Sequence, residues 1–105
     1  MMPFAARAED IVEGHYDCSD GTRLLTVYIP FEASGEDYFA MYYDGRLFML
    51  YAQHEVQDGA KLFRQSFGTP GYVFHAWGAE GSSLGWADPD AGTEEILHSG
   101  CKFGM

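Results

Sequence analysis

Positive charge is what this chain has least of. Six lysines and arginines stand against sixteen aspartates and glutamates in 105 residues, a formal net charge of −10. Phosphate backbones and anionic lipid surfaces are bound by positive surfaces, so nucleic acid and anionic membranes are disfavoured as partners. A basic protein or a cation is what such a surface attracts, over a range that salt shortens. No apolar run is long enough to cross a membrane as a helix. The two cysteines, Cys18 and Cys101, form no CxxC and have no paired histidines at ligand spacing, which argues against zinc and thioredoxin-type sites. The four histidines, His15, His54, His75 and His98, never fall two or four apart, so no local metal motif exists. Ser82-Ser83 lies between glycines but not in a G-x-S-x-G elbow. Gly-rich phosphate loops are absent, and neighbouring acids such as Glu36-Asp37 or Glu94-Glu95 follow from composition alone. No enzyme signature is present; no catalytic residue, metal or cofactor is expected.

What the chain does have is short apolar runs cut by turns. Hydrophobic residues make up 47% and aromatic residues 16%, enough to fill one core, and 105 residues are too few for two domains. Residues 1–14 read as a loose arm, with a short helix over 5–12 as the alternative, and residues 15–105 as one domain. Residues 15–18 (HYDC) form a short strand, followed by a turn at 19–22. Residues 23–30 (RLLTVYIP) are β-branched and aromatic, as strands are, with Pro30 ending the run or marking an edge. Residues 38–43 alternate, and then comes Asp44-Gly45, a two-residue turn between apolar runs and the strongest short hairpin signal. Leu47, Met49 and Tyr51 share one face of the next strand, Phe48 and Leu50 the other. Both faces are apolar, so periodicity alone does not say which is inside.

A polar loop is expected over residues 53–59, then a return strand over 61–67 whose core face carries Phe63, Gln65 and Phe67. Gly68-Thr69-Pro70-Gly71 turns the chain. Residues 72–77 and 82–87 make two more strands, the second weakened by Gly85, and residues 95–99 make the last, leading into Cys101. About eight short strands with regular turns and no strong helix define an all-β fold: a small antiparallel barrel or sandwich, the barrel having no exposed edges. Trp77 and Trp86 lie near turns, where an aromatic side chain either anchors a partner or plugs a barrel end.

The cysteines sit near opposite ends of the folded region, so one disulfide joining first and last strands is the natural reading; two reduced thiols in a cytosolic protein are the alternative. Closing so long a loop is worth about 4–5 kcal/mol in the chain-entropy model. Ala6-Arg7-Ala8 has the small-x-small pattern of a signal-peptidase site, with only MMPFA before it. The cysteine pair tilts the expected location toward export.

The segments YDCSDGTRLLTVY, FAMYYDGRLFML, DGAKL and YVFHAWG and the late Gly-Cys, in this order and spacing, resemble the periplasmic and membrane-bound inhibitors of C-type lysozyme (the MliC/PliC family). The similarity runs from Tyr16 to Cys101. It implies an eight-stranded antiparallel β-barrel, a Cys18–Cys101 disulfide, a periplasmic or cell-envelope location, and inhibition by insertion of a loop into the lysozyme cleft. The family's Ser-Gly-x-x-Tyr signature aligns with Asp58-Gly59-Ala60-Lys61-Leu62, where only the glycine is kept. Its Tyr-x-x-x-Thr-Lys-Gly signature aligns with residues 72–78, where Tyr72 and Gly78 match and Ala76 and Trp77 replace Thr and Lys. The resemblance thus implies a partner-binding set of Asp58, Gly59, Lys61, Tyr72, Trp77 and Gly78, with C-type lysozyme the first candidate partner. Trp77 cannot supply the charge-assisted hydrogen bond of a Lys, and an ionised Asp58 cannot donate as a Ser does. The alternative is therefore a non-inhibitory envelope-binding domain of the same fold. No lipidation motif precedes Cys18, so no membrane anchor is visible.

Overall fold

The computed structural model of the chain describes residues 11–31, 36–57, 60–78 and 81–104. Eight strands follow in order: β1 Val12–Asp17, β2 Arg23–Phe31, β3 Glu36–Tyr43, β4 Arg46–Gln57, β5 Ala60–Arg64, β6 Gly71–Gly78, β7 Gly81–Asp88 and β8 Thr93–Gly104. Each pairs antiparallel with the next, and β8 pairs with β1, so the sheet closes into an up-and-down barrel with no free edge. A disulfide joins Cys18 to Cys101 across this closure.

Alternation sorts the side chains. Leu24, Phe39, Met41, Leu50, Phe63, Phe74 and Leu84 point inward and are buried. Phe39 stacks between Phe63 and Phe74, with ring centroids 4.9 and 4.8 Å apart, and Tyr16 sits edge-on to Phe74 at 4.9 Å. Truncating a buried Phe of this kind costs about 3–5 kcal/mol. The β3–β4 turn is the expected two-residue hairpin: Tyr43 pairs with Arg46, and Asp44 and Gly45 have φ of 53° and 76°, the left-handed pair a type I′ turn needs. Closure needs a second glycine. A Cβ on Gly14 would lie 2.5 Å from the Phe103 ring and 2.6 Å from the Gly104 carbonyl oxygen.

Four expectations are corrected. β1 begins at Val12, so residues 12–14 belong to the barrel and not to an arm, and Val12 is extended where a helix was the alternative. Residues 53–57 continue β4, with an irregular register between Gln53 and Gln57; Gln57 pairs with Ala60, so only residues 58 and 59 intervene. A second Asp-Gly pair, Asp58-Gly59, stands there in the sequence, the same hairpin signal as Asp44-Gly45. β5 ends at Arg64 because Gln65 and Ser66 turn the chain. The Gln65 side-chain oxygen accepts from Tyr72 N–H at 3.1 Å, and Ser66 Oγ accepts from Thr69 N–H at 3.2 Å. Phe67, expected in the core, is 57% exposed in that turn. Finally, β8 runs past Cys101 to Gly104, because it must finish pairing with β7 and then with β1.

The outer faces of β2, β3 and β4 form a grid. Leu25 lies opposite Tyr42 and Tyr42 opposite Leu47; below them come Val27, Ala40 and Met49, and then Ile29, Tyr38 and Tyr51. The two faces of β4, alike in sequence, are told apart by closure: Phe48 and Leu50 go inside, Leu47, Met49 and Tyr51 outside.

Candidate partner-binding end

The barrel has two ends. The hairpin end carries the Asp44-Gly45 turn, the start of β2 and the start of β6. The other end, here the Lys61 end, carries the β4–β5 and β6–β7 connections, the end of β2, the start of β1 and the last residues of β8.

The inward alternation of β5, set by Phe63, also turns Lys61 inward at this end. Lys61 Nζ donates to the Tyr28 hydroxyl at 2.8 Å and forms an ion pair with Asp37 Oδ2, to which the Tyr28 hydroxyl also donates at 2.7 Å. The ammonium is 5.3 Å from the Tyr28 ring centroid, but it lies at the hydroxyl edge, so it is bonded to the oxygen and does not sit on the π face. Burial works against the Lys61 charge, yet the Asp37 and Tyr28 contacts outweigh it and hold its pKa above the ordinary value. Burial likewise raises the Tyr28 phenol. Beside this cluster lies a cavity of about 170 Å³, lined by Val12, Tyr16, Thr26, Tyr28, Phe39 and Phe103. A larger surface recess of about 490 Å³, lined by Arg64, Phe67, Asp88 and Glu94 among others, is at the opposite end.

The expected partner-binding residues are only partly gathered. Lys61 pairs with Ala76, and Gly78 pairs with Gly81, so Lys61, Trp77 and Gly78 belong to the Lys61 end. Asp58 and Gly59 fall outside the described residues, as does the Trp77 side chain. Tyr72 is elsewhere: six residues earlier on β6, roughly 20 Å along the strand, at the hairpin end. There its ring meets Phe48 at 4.8 Å, Trp86 at 4.9 Å and Tyr43 at 5.5 Å. Trp86 thus stacks edge-on over the hairpin end while remaining 38% exposed.

Two groupings went unread in the sequence. Asp37 has the same parity as Phe39 and Met41, and Tyr28 the same parity as Leu24 and Thr26; an acid at a core parity is the signal that a buried cation must meet it. The second is at the hairpin end. His98 Nδ1 lies 2.5 Å from Asp20 Oδ2 and 3.2 Å from Thr22 Oγ1, and its Nε2 lies 2.8 Å from the Tyr43 hydroxyl. With Asp20 ionised, Nδ1 carries the proton, and in the neutral ring Nε2 accepts from Tyr43. The Thr22 N–H and the His98 ring lower the Asp20 carboxyl to about 2. Burial, with acidic neighbours, raises Tyr43. His15 and His75 also face acids, Asp17 at 3.4 Å and Glu94 at 2.6 Å. Among the described residues no three His, Cys, Asp or Glu side chains gather as a metal site would require.

Compared with protein-family models, with curated proteins and with solved structures, the chain finds no match, and the reading of this end rests on its own residues.

Proposed function

We propose that the protein is an exported, non-enzymatic binding barrel of the lysozyme-inhibitor type, using its Lys61 end to contact a basic protein, with C-type lysozyme the first partner to test. The observation that carries this reading is register. The described part of the first segment that resembles a family signature, residues 60–62, and the second segment, residues 72–78, lie on neighbouring strands, with Lys61 directly opposite Ala76. The closed eight-stranded barrel and its disulfide agree with the same resemblance. A net charge of −10 suits a basic partner, and a disulfide is compatible with an oxidising compartment such as the periplasm.

A second reading has its own support: the same fold as an envelope-binding domain that does not inhibit lysozyme. Lys61 is the cation nearest the signature segments that could stand in for the missing Lys, and it is engaged by Asp37 and Tyr28. Addressing a lysozyme carboxylate would require it to leave both.

The discriminating experiment is a C-type lysozyme binding and inhibition assay on the wild type and on Asp58→Ser/Trp77→Lys. Inhibition by the wild type supports the first reading. Inhibition by the double variant alone supports the second, and no calorimetric binding by either removes lysozyme as the partner.

A further inference from the structure

The nine-residue outer face of β2, β3 and β4 is uncharged throughout, and five of its members are open. Leu25 is 52% exposed, Tyr42 47%, Leu47 71%, Met49 40% and Tyr51 41%. Taking roughly 200 Å² for a fully exposed large side chain, these five alone leave about 500 Å² of mostly apolar surface open. That is near the upper limit for the largest apolar patch on an ordinary monomer. It is also about two-thirds of what one partner contributes to a standard interface, before the half-buried neighbours and the rim are included. Tyr and Met are favoured at interface centres, and here Tyr38 and Tyr51 already pair edge-on at 5.5 Å.

Charge indicates which partner fits. Among the described residues, seven charged positions border the face; one of them, Glu36, stands two residues before Tyr38 on β3, opposite Phe31. Glu13 lies opposite Val27, Asp17 is paired with Arg23, Arg64 lies opposite Tyr51, and Asp44 and Arg46 are at the hairpin. Four are acids and three are bases, so the border carries a net charge of only −1 on a chain of net charge −10. Among the described residues, the acids Asp20, Asp88, Asp90, Glu94 and Glu95 lie away from this face. A basic partner is drawn to more acidic surface than this. Two copies of an acidic chain, conversely, approach with least repulsion through a surface of low net charge.

We infer that the outer face of β2–β4 is a homodimer interface, two copies packing sheet to sheet about a two-fold axis. The contact is isologous, each face meeting its own equivalent. It leaves both Lys61 ends free and does not depend on what they bind.

Sedimentation equilibrium tests this over about 1–500 µM. The wild type is expected to dimerise with a dissociation constant in the micromolar range. Leu47→Glu, and on another strand Tyr42→Arg, should each weaken dimerisation by about 100-fold or more. Their thermal unfolding, extrapolated to low concentration, should match that of the wild type, because both side chains are solvent-facing in the monomer. Leu47→Ser repeats the test without adding charge. The dimer should tighten as salt rises, since screening relieves repulsion between two acidic chains. A wild type that stays monomeric to the highest concentration overturns the inference. So does a dimer indifferent to all three substitutions, or one that dissociates in salt. Capture of the monomer by phosphatidylcholine vesicles through Leu47 also overturns it, assigning the face to lipid.

Discussion

The two ends of the barrel are built from different interactions. The hairpin end is held by aromatic edge contacts among Tyr43, Phe48, Tyr72 and Trp86, by the Asp20–His98–Tyr43 chain, and by the disulfide at the β1–β2 turn. At that turn Ser19 donates from both its N–H and its Oγ to the Ser99 carbonyl, each at 3.0 Å. Among the described residues, the Lys61 end shows the Lys61–Asp37–Tyr28 cluster and a cavity beside it. The first end resists opening through many small contacts and a covalent link. At the second, the described residues hold a charged cluster, where removing a single partner leaves a charge with poor solvation.

Removing the link should produce the largest change. The disulfide spans a sequence separation of 83 residues. Cys18→Ala/Cys101→Ala should therefore lose about 4–5 kcal/mol in urea unfolding, close to the whole stability of a small domain. A loss below about 1 kcal/mol would mean that the sheet closes without help from the cross-link.

Next is the ion pair. Lys61 is 29% exposed and Asp37 15%. Lys61→Met alone should cost about 1–3 kcal/mol, since Asp37 is left half-desolvated, while Lys61→Met/Asp37→Leu should recover part of the loss. A double-mutant cycle with no coupling would show that the cluster is not what holds this end.

The two ends should also fail at opposite extremes of pH. The folded-state pKa of Asp20 is depressed to about 2 from 3.8, so its contribution is complete above pH 3.8 and fades as pH falls toward 2. The pKa of Lys61 is raised from 10.5, so its contribution is complete below 10.5 and fades as pH rises beyond it. Tyr28, raised from 10.0, adds to the alkaline loss. NMR shifts of residues around His98 should move with acid, and those around Tyr28 with alkali. Asp20→Asn should reduce the acid loss of stability, to which Asp17 also contributes, and leave the alkaline loss unchanged. The smallest effect belongs to the Arg23–Asp17 pair, half-exposed on the outside of the barrel; Arg23→Ala should leave the melting temperature unchanged within error.

Local chemistry made much of the fold legible. Asp44-Gly45 named its own hairpin, because only a left-handed pair joins two strands in two residues. Eight apolar runs cut by turns named an antiparallel β fold, and two distant cysteines named a bond between its first and last strands. Where reading went astray, local composition pointed away from the backbone. The polarity of residues 53–57 suggested a loop, but a strand's backbone needs only a neighbour, and β5 supplies one. The aromatic Phe67 suggested core, but Gln65 and Ser66 had already turned the chain. At the candidate site, the family resemblance implied Lys61 and Tyr72 as members of one set; strand length separates them to opposite ends.

The order of strands, the two main turns and the apolar character of β3 and β4 were thus determined by the sequence alone, since each depends on residues within a few positions of one another. Which apolar face of β4 is core, that Lys61 meets Asp37 and Tyr28, and that His98 meets Asp20 and Tyr43 were decided by tertiary structure. Those contacts join residues 24 to 78 positions apart, and only barrel closure, with its register and its inside and outside, brings them together.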